Sequence, residues 1–548
     1  MFAFSKFFSI IKSFFAGLLA VIVATSQGGS LAISLHGVRS TPLSIYSYSF
    51  YDPTVKVFRD GTIAKNKTYT MYAAKNEYEY CQFALRTNKV RGHSYFEITD
   101  FTNENGDVVP VELYREVAVE TTDGVVNTKY YDALVPSEKS FHFSSKIEYN
   151  YVYAIMVKTT ADTPAGDYTA TVKIGNYDIP DNKYENETAE VKLHVWNFAL
   201  PDAPTMDTAM GLEHYDIAQK HGVANGSDAC NELYKKYYDY MLSRRVSAYD
   251  LPYDILDSRA DAYMSDPRVK SFRIPYGSDE QITAYYNKLS QNPEWMKKAY
   301  FYPIDEPSNA EAIESYNAIC ERLSRLFPGY NMVTPFYTNE IEELGKNNID
   351  IQAGKSDIIC PISDLFSEKG FPESVKSRVA QGDKVWWYVC CGPSPTSDYC
   401  NLFVQQSALK HRILFWQQKQ ADVTGLLYWD VNYWRDAQLS DGTLAADVWE
   451  SSWTTPWTGN DTFGDGSLLY NGNRVGISGP VTSIRFECVA NGIEDYEYLT
   501  MAEELLGEKE TDKIIKKVTK DLEHYTYSDK AFRNARIKLG SAIESAAK

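Results

Sequence analysis

Residues 301–311 read FYPIDEPSNAE, and the fold turns on how this stretch is read. Asp305 and Glu306 are neighbouring like charges, which at an ordinary surface position are simply solvated. Here Tyr300, Phe301, Tyr302 and Ile304 precede them as a buried strand would, and Pro307 biases Glu306 toward an extended backbone. Ser308-x-x-Glu311 then has the spacing of a capping box. The pair is therefore expected at the carboxyl end of a strand, just before a helix, which is where α/β barrels keep their chemistry.

Working outward, the same rhythm of strand, loop and helix recurs. Candidate strands are 206–211, 248–253, 269–274, 299–304, 332–337, 357–362, 385–389 and 425–429, and the clearest helices are 229–242, 280–289, 309–327 and 405–420. In the third helix Ile313, Tyr316, Ile319, Leu323 and Leu326 keep helical spacing, and Phe327-Pro328-Gly329 ends it. Eight strands alternating with helices over roughly 250 residues predict a (β/α)8 TIM-type barrel. A doubly wound sheet is the alternative, but no glycine-rich phosphate loop follows the first strand.

Before residue 200 the apolar period is two, as in Tyr151–Val157, Tyr168–Ile174 and Val191–Trp196, with turn residues such as Thr163-Pro-Ala-Gly-Asp167 between the runs. That pattern predicts an antiparallel β-sandwich. Leu200-Pro-Asp-Ala-Pro204 reads as a stiff linker. The first 26 residues differ again: Lys6 and Lys12 precede an apolar run from Phe14 to Ala24, followed by small residues, as in a secretory signal peptide. Eleven apolar residues fall short of the about 20 that a spanning helix needs. The expected organisation is thus a signal peptide at 1–26, a β-sandwich at 27–200, a catalytic barrel at 205–492 and a helical segment at 493–548 packed on the barrel's outside. The mature chain is expected to start near Gln27 and to be secreted, periplasmic or at the cell surface.

The 548 residues carry 73 acidic against 55 basic side chains, a net charge of −18, which disfavours a grip on nucleic-acid phosphates. The 42 Tyr and 10 Trp offer flat faces and hydroxyls suited to sugars. No Cys/His metal spacing occurs among the eight cysteines, and no metal or cofactor is expected. Cys390 and Cys391 lie next to each other in an apolar run, where strand geometry points them to opposite faces and away from pairing.

A glycosidase needs a carboxylic acid to protonate the leaving oxygen and a group to stabilise an oxocarbenium-like centre. In the two-carboxylate retaining mechanism those groups stand about 5–5.5 Å apart across the bond, and adjacent residues suit a different task. Where the sugar carries a 2-acetamido group, its carbonyl oxygen can attack the anomeric carbon. A carboxylate beside the acid then orients the amide and offsets the oxazolinium charge. Glu306 reads as acid/base and Asp305 as amide partner, whose nearby charge also helps keep Glu306 protonated.

Tyr302-Pro-Ile-Asp-Glu-Pro-Ser308, Gly464-Asp-Gly-Ser-Leu-Leu-Tyr470, Ser483-Ile-Arg-Phe-Glu487 and Gly492-Ile-Glu-Asp-Tyr-Glu-Tyr-Leu499 together resemble glycoside hydrolase family 123. The resemblance runs from the sandwich to the C-terminus and departs at Asn471, where relatives often continue Tyr-Pro-Gly. It implies a sandwich followed by a (β/α)8 barrel and a retaining, substrate-assisted mechanism carried by Asp305 and Glu306. The implied substrate is a glycan or glycoconjugate ending in β-linked N-acetylhexosamine, N-acetylgalactosamine foremost.

Other strand ends supply candidate binding groups. Tyr337 and Asn339 follow the fifth strand, and a Tyr hydroxyl there would suit the acetamido oxygen, or simply pack at the rim. Trp429 and Asp430 follow the eighth, with Asn432 beyond: a Trp floor with a carboxylate gripping hydroxyls, or a core Trp with a loop cap. Trp386 and Trp387 are consecutive, so one of them faces inward, and Trp387 is taken as the substrate-facing one. His214 reads as a surface residue, and Glu494, Asp495 and Glu497 as an ion-pair cluster near Arg485. Two other functions fit the residues: a glycosidase on non-acetylated sugars with Asp430 or Asp364 as nucleophile, and a non-catalytic glycan-binding surface protein.

Overall fold

The computed structural model describes residues 46–87, 93–122, 127–144, 149–178, 183–434 and 462–547. The expected signal peptide and the position of Gln27 lie outside the described residues. Two largely antiparallel sheets occupy the region before residue 200. One runs, in order, Tyr46–Tyr51, Tyr78–Thr87, Tyr151–Lys158, Val111–Thr122 and Asn127–Ser137; the other Thr68–Lys75, Lys183–Ala199, Gly166–Asp178, His93–Ile98 and Ser140–Ser144. Alternation turns Phe83 and Tyr153 of the first sheet toward Phe96 of the second, with ring centroids 5.9 and 5.3 Å apart. Each such ring contributes about 1.5–3 kcal/mol by leaving water.

The region after the linker holds the parallel strands. Asp207–Met210, Gly425–Tyr428, Lys384–Tyr388, Ile358–Pro361 and Val333–Phe336 form one ladder, and Phe272–Ile274 pairs with Ala299–Phe301 in another. These ladders do not join into one continuous sheet. Single parallel bridges span the gaps, Met210 to Ala248 and Phe301 to Met332, with Tyr249 N donating to Met210 O at 2.8 Å and Arg273 N to Tyr249 O at 2.6 Å. The expected strand at 248–253 is thus reduced to a bridge, because Pro252 has no N–H to extend a ladder. Pro303 likewise ends the expected strand 299–304 at Phe301.

The helices fall between the strands: Asp228–Ser243, Asp279–Leu289, Ala310–Leu326 and Ala408–Gln420 lie within a few residues of the expected ranges. The cap of the third differs from the expected box. Asn309 is the N-cap, its side chain accepting from Ala312 N at 2.9 Å, one residue beyond Ser308. No described helix is long and apolar enough to cross a membrane.

The C-terminal part ties the two regions into one compact unit. Pro480–Ser483 joins the sandwich sheet against Ala133 and Leu134, and Ile484–Leu506 continues as one helix, buried from Ile484 to Leu499. The boundary expected at 492/493 therefore falls inside a helix. The last helix, Asp529–Ala546, does not simply coat the outside. Phe532 meets Trp416 with centroids 5.5 Å apart, while a Cβ on Gly540 would strike the Trp196 indole of the sandwich at 2.6 Å.

Candidate active site

Beyond Phe301, Tyr302, Pro303 and Ile304 carry the chain to Asp305, which is exposed, and Glu306, which is half-buried. Glu306 is not extended: its φ is +44°, a left-handed conformation that costs a non-glycine residue about 1–3 kcal/mol. Neighbours on both sides hold it there. Pro307 is buried, with its carbonyl taken by Asn348 Nδ2 at 2.9 Å, and the Tyr388 hydroxyl donates to Glu306 Oε1. The reversal gives the two adjacent carboxylates different holders, since Asp305 Oδ1 accepts from Tyr302 OH at 2.7 Å.

Burial raises the Glu306 carboxyl above its ordinary range and the charge of Asp305 raises it further, while the bond from Tyr388 opposes both. A raised carboxyl is what a general acid requires near neutral pH. The thiol of Cys360, buried in the strand Ile358–Pro361, is pushed up by burial and then by the charges of Asp305 and Glu306. Tyr249 packs edge-on against Tyr302, centroids 5.8 Å apart, and backs the ring that holds Asp305.

The other expected residues divide. Tyr337 directly follows its strand and is 49% exposed. Asn339 has become a loop fixture: its carbonyl accepts from Asn348 N at 2.5 Å and its Oδ1 from Ile349 N at 3.3 Å. Trp387 is a correction. It is fully buried on the helix side of its strand, 5.7 Å from Phe366, because inward positions alternate as Trp386 and Tyr388. Trp386 reaches Tyr300, centroids 5.4 Å apart, and donates to Asp207 Oδ2 at 3.3 Å; Tyr388 reaches Glu306. Asp430 is only 2% exposed, and its Oδ1 accepts from Asn432 N at 2.8 Å, the loop-cap arrangement. Asn432 in turn bonds both backbone polar groups of Glu213. His214 is half-buried, with one face of its ring stacked flat on Tyr234, centroids 3.6 Å apart.

The carboxylate beside Trp429 is instead Asp465. Its Oδ1 accepts from Trp429 Nε1 at 3.1 Å and Tyr428 OH at 3.2 Å, and burial pushes its carboxyl up to about 6. The surrounding Gly464–Tyr470 motif is a rigid turn. Arg485 donates to Gly464 O at 2.7 Å and Ser467 O at 2.5 Å, and Ser483 Oγ donates to Leu468 O at 2.6 Å. Gly466 has φ +71°, and a Cβ there would lie 2.3 Å from the Trp429 ring. The glycines flanking Asp465 were the available signal in the sequence. Tyr302 and Tyr388 carried none beyond strand alternation.

Residues 246–502 match the family model described as glycoside hydrolase 123, catalytic domain. The chain carries a glycoside hydrolase family 123 catalytic domain. That match contains Asp305, Glu306, Tyr388, Trp429 and Asp465, and it makes the protein a glycoside hydrolase that acts on glycans. Among solved structures, a family 123 glycoside hydrolase from Clostridium perfringens, studied for glycolipid glycan hydrolysis, shares 13% identity. It covers 91% of this chain and 97% of its own with a TM-score of 0.65, a likeness of fold. A β-glucuronidase from Parabacteroides merdae, 9% identical over 70% of this chain and 46% of its own, reaches a TM-score of only 0.25. No curated protein matches the chain.

Proposed function

We propose that this protein is a retaining, substrate-assisted hydrolase that removes terminal β-linked N-acetylhexosamine, N-acetylgalactosamine foremost, from a glycan or glycoconjugate. The observation that carries the reading is the pair itself: an exposed carboxylate directly beside a half-buried carboxyl raised by that burial, each with its own tyrosine. We read the seven short parallel strands and the bridge at Ala248 as one (β/α)8 barrel with this pair at its carboxyl end. Glu306 gives its proton to the glycosidic oxygen as the C1–O bond breaks, and the acetamido carbonyl oxygen forms the new bond to C1. Asp305, steadied by Tyr302, accepts the amide N–H and offsets the positive charge of the oxazolinium ring. Glu306, now a carboxylate, takes a proton from water, which opens the ring at C1 with overall retention. Trp429 offers a flat face for the sugar, and Asp465 beside it an acceptor for hydroxyls. Glycolipid glycans, the subject of the Clostridium perfringens work, belong among the substrates to try.

Aryl β-glycosides that differ only at C2 (acetamido or hydroxyl) and in the configuration at C4 test this. The 2-acetamido sugars should turn over and the 2-hydroxyl sugars should be nearly inert; a thiazoline mimic of the oxazoline should inhibit. Comparable turnover of plain galactosides or glucosides overturns the reading. We also propose export, on the basis of Lys6, Lys12 and the apolar run to Ala24. The mature N-terminus from the native host should lie near Gln27, and an intact Met1 in a cytoplasmic fraction contradicts export.

A further inference from the structure

Cys390 and Cys391 do not point to opposite faces. The strand Lys384–Tyr388 has ended, and Cys390 N donates to Gly392 O at 2.7 Å in a tight turn. Their sulfurs lie 3.8 Å apart. Asn401 Nδ2 clamps the turn by donating to Cys390 O at 3.0 Å and Pro393 O at 2.9 Å. Among the eight cysteines all are free thiols, and only these two reach the surface: Cys391 is exposed, Cys390 half-buried, the rest buried. The turn begins two residues beyond the tyrosine that holds Glu306.

We propose that Cys390 and Cys391 form a thiol–disulfide exchange site in the turn that follows the strand Lys384–Tyr388, where Cys391 takes up a small disulfide such as oxidised glutathione and Cys390 resolves it. In the first step the Cys391 thiolate attacks one glutathione sulfur, forming the mixed disulfide and expelling the other glutathione as a thiolate that takes a proton. In the second, Cys390 loses its proton and attacks Cys391 Sγ, expelling the remaining glutathione and closing a Cys390–Cys391 disulfide. One disulfide and two thiols become one disulfide and two thiols, so no further oxidant is needed. The asymmetry suits these roles. The hydrogen bond from Cys390 lowers the Cys391 thiol, and that bond followed by burial raises Cys390; the exposed, lower thiol is the one that attacks. Adjacent Cα atoms are about 3.8 Å apart, below the usual 4.4–6.8 Å of a disulfide, so the ring is strained and readily reduced. Resolution matters for the site because a glutathionyl group left on Cys391 would sit three residues beyond Tyr388, whose hydroxyl holds Glu306.

The full chain is incubated with oxidised glutathione under native conditions, alkylated with iodoacetamide and mapped by mass spectrometry. The peptide holding residues 390 and 391 should lack two hydrogens and carry neither glutathione nor an alkyl group. In Cys390→Ser the same treatment should leave glutathione on Cys391 and lower kcat/KM on an aryl glycoside by on the order of 10²-fold, the scale of losing a general acid. Dithiothreitol should restore it. The untreated variant, expected to be as active as the untreated wild type, reports folding. Two alkylated thiols, or glutathione retained on Cys391, in the treated wild type overturns the proposal. The peptide map needs no turnover, so it stands apart from the activity arm, which rests on the role proposed for Glu306.

Discussion

Carboxylates occur in this protein in two contrasting settings. Around the buried helix Ile484–Leu506 they are paired with arginines. Asp495 accepts from Arg412 at 2.7 and 3.0 Å, from Arg536 at 2.7 Å and from Trp416 at 3.1 Å. Arg536 also binds Glu77 and Glu79 of the sandwich, and Glu487 takes Arg244 at 3.0 Å and Tyr240 OH at 2.6 Å. Burial alone would raise Asp495, but the arginine charges hold it below the usual carboxylate range. At the catalytic pair, by contrast, neither carboxylate has an ion-pair partner among the described residues; each has a tyrosine hydroxyl. Charge cancelled by charge makes a structural joint, whereas a half-buried carboxyl beside another carboxylate keeps a proton it can give away.

Exchanging the two settings by substitution is the way to break this contrast. Glu306→Gln should have the largest effect, a fall of about 10²–10⁴-fold in kcat/KM on substrates with poor leaving groups, with the thermal midpoint nearly unchanged because the amide keeps the shape and an acceptor for the Tyr388 hydroxyl. A fall in stability with turnover intact would make the pair structural after all. Arg536→Met should do the reverse. It strands Glu77 without a cation and leaves Asp495 with Arg412 alone, and should cost about 3–5 kcal/mol in urea unfolding, while the molecules that remain folded keep their kcat. Tyr388→Phe should act more gently, because a hydrogen bond to a charged group is worth about 1.5–3 kcal/mol. Its sign can be checked in the pH profile. The Tyr388 hydroxyl favours ionised Glu306, so its removal raises that carboxyl, and the descending limb of kcat/KM should move to higher pH. A shift to lower pH, or none, would take Tyr388 out of the site.

The contrast also marks how far the sequence could be read. Period and turn residues placed seven of the eight expected strands after the linker and the four clearest helices, because each is a local property of the chain. The position of Asp305 and Glu306 at a strand exit followed from Pro307 and the helix start, although the left-handed Glu306 did not, since a bond from a residue 82 positions away helps to hold it. Partners across the fold were harder. The acidic run was expected near Arg485, yet Arg485 pairs with Asp132 at 2.9 Å. Ten residues separate Arg485 from Asp495, about 15 Å along a helix, so they meet different neighbours. The sequence carries no register for the strand that holds Trp387, and a shift of one residue reverses the facing. Asp430 is adjacent to Trp429 in sequence, but the carboxylate its indole meets, Asp465, arrives from a later turn.

The most direct test of the account is Asp305→Asn assayed on a 2-acetamido aryl glycoside. The variant keeps an acceptor for the amide N–H but removes the charge that offsets the oxazolinium. The account predicts a loss of about 2.7–4 kcal/mol in transition-state stabilisation, the size seen when one preorganised group is deleted, with an unchanged thermal midpoint. Near-normal turnover, with a 2-fluoro sugar trapped covalently on another carboxylate of the wild type, would contradict it.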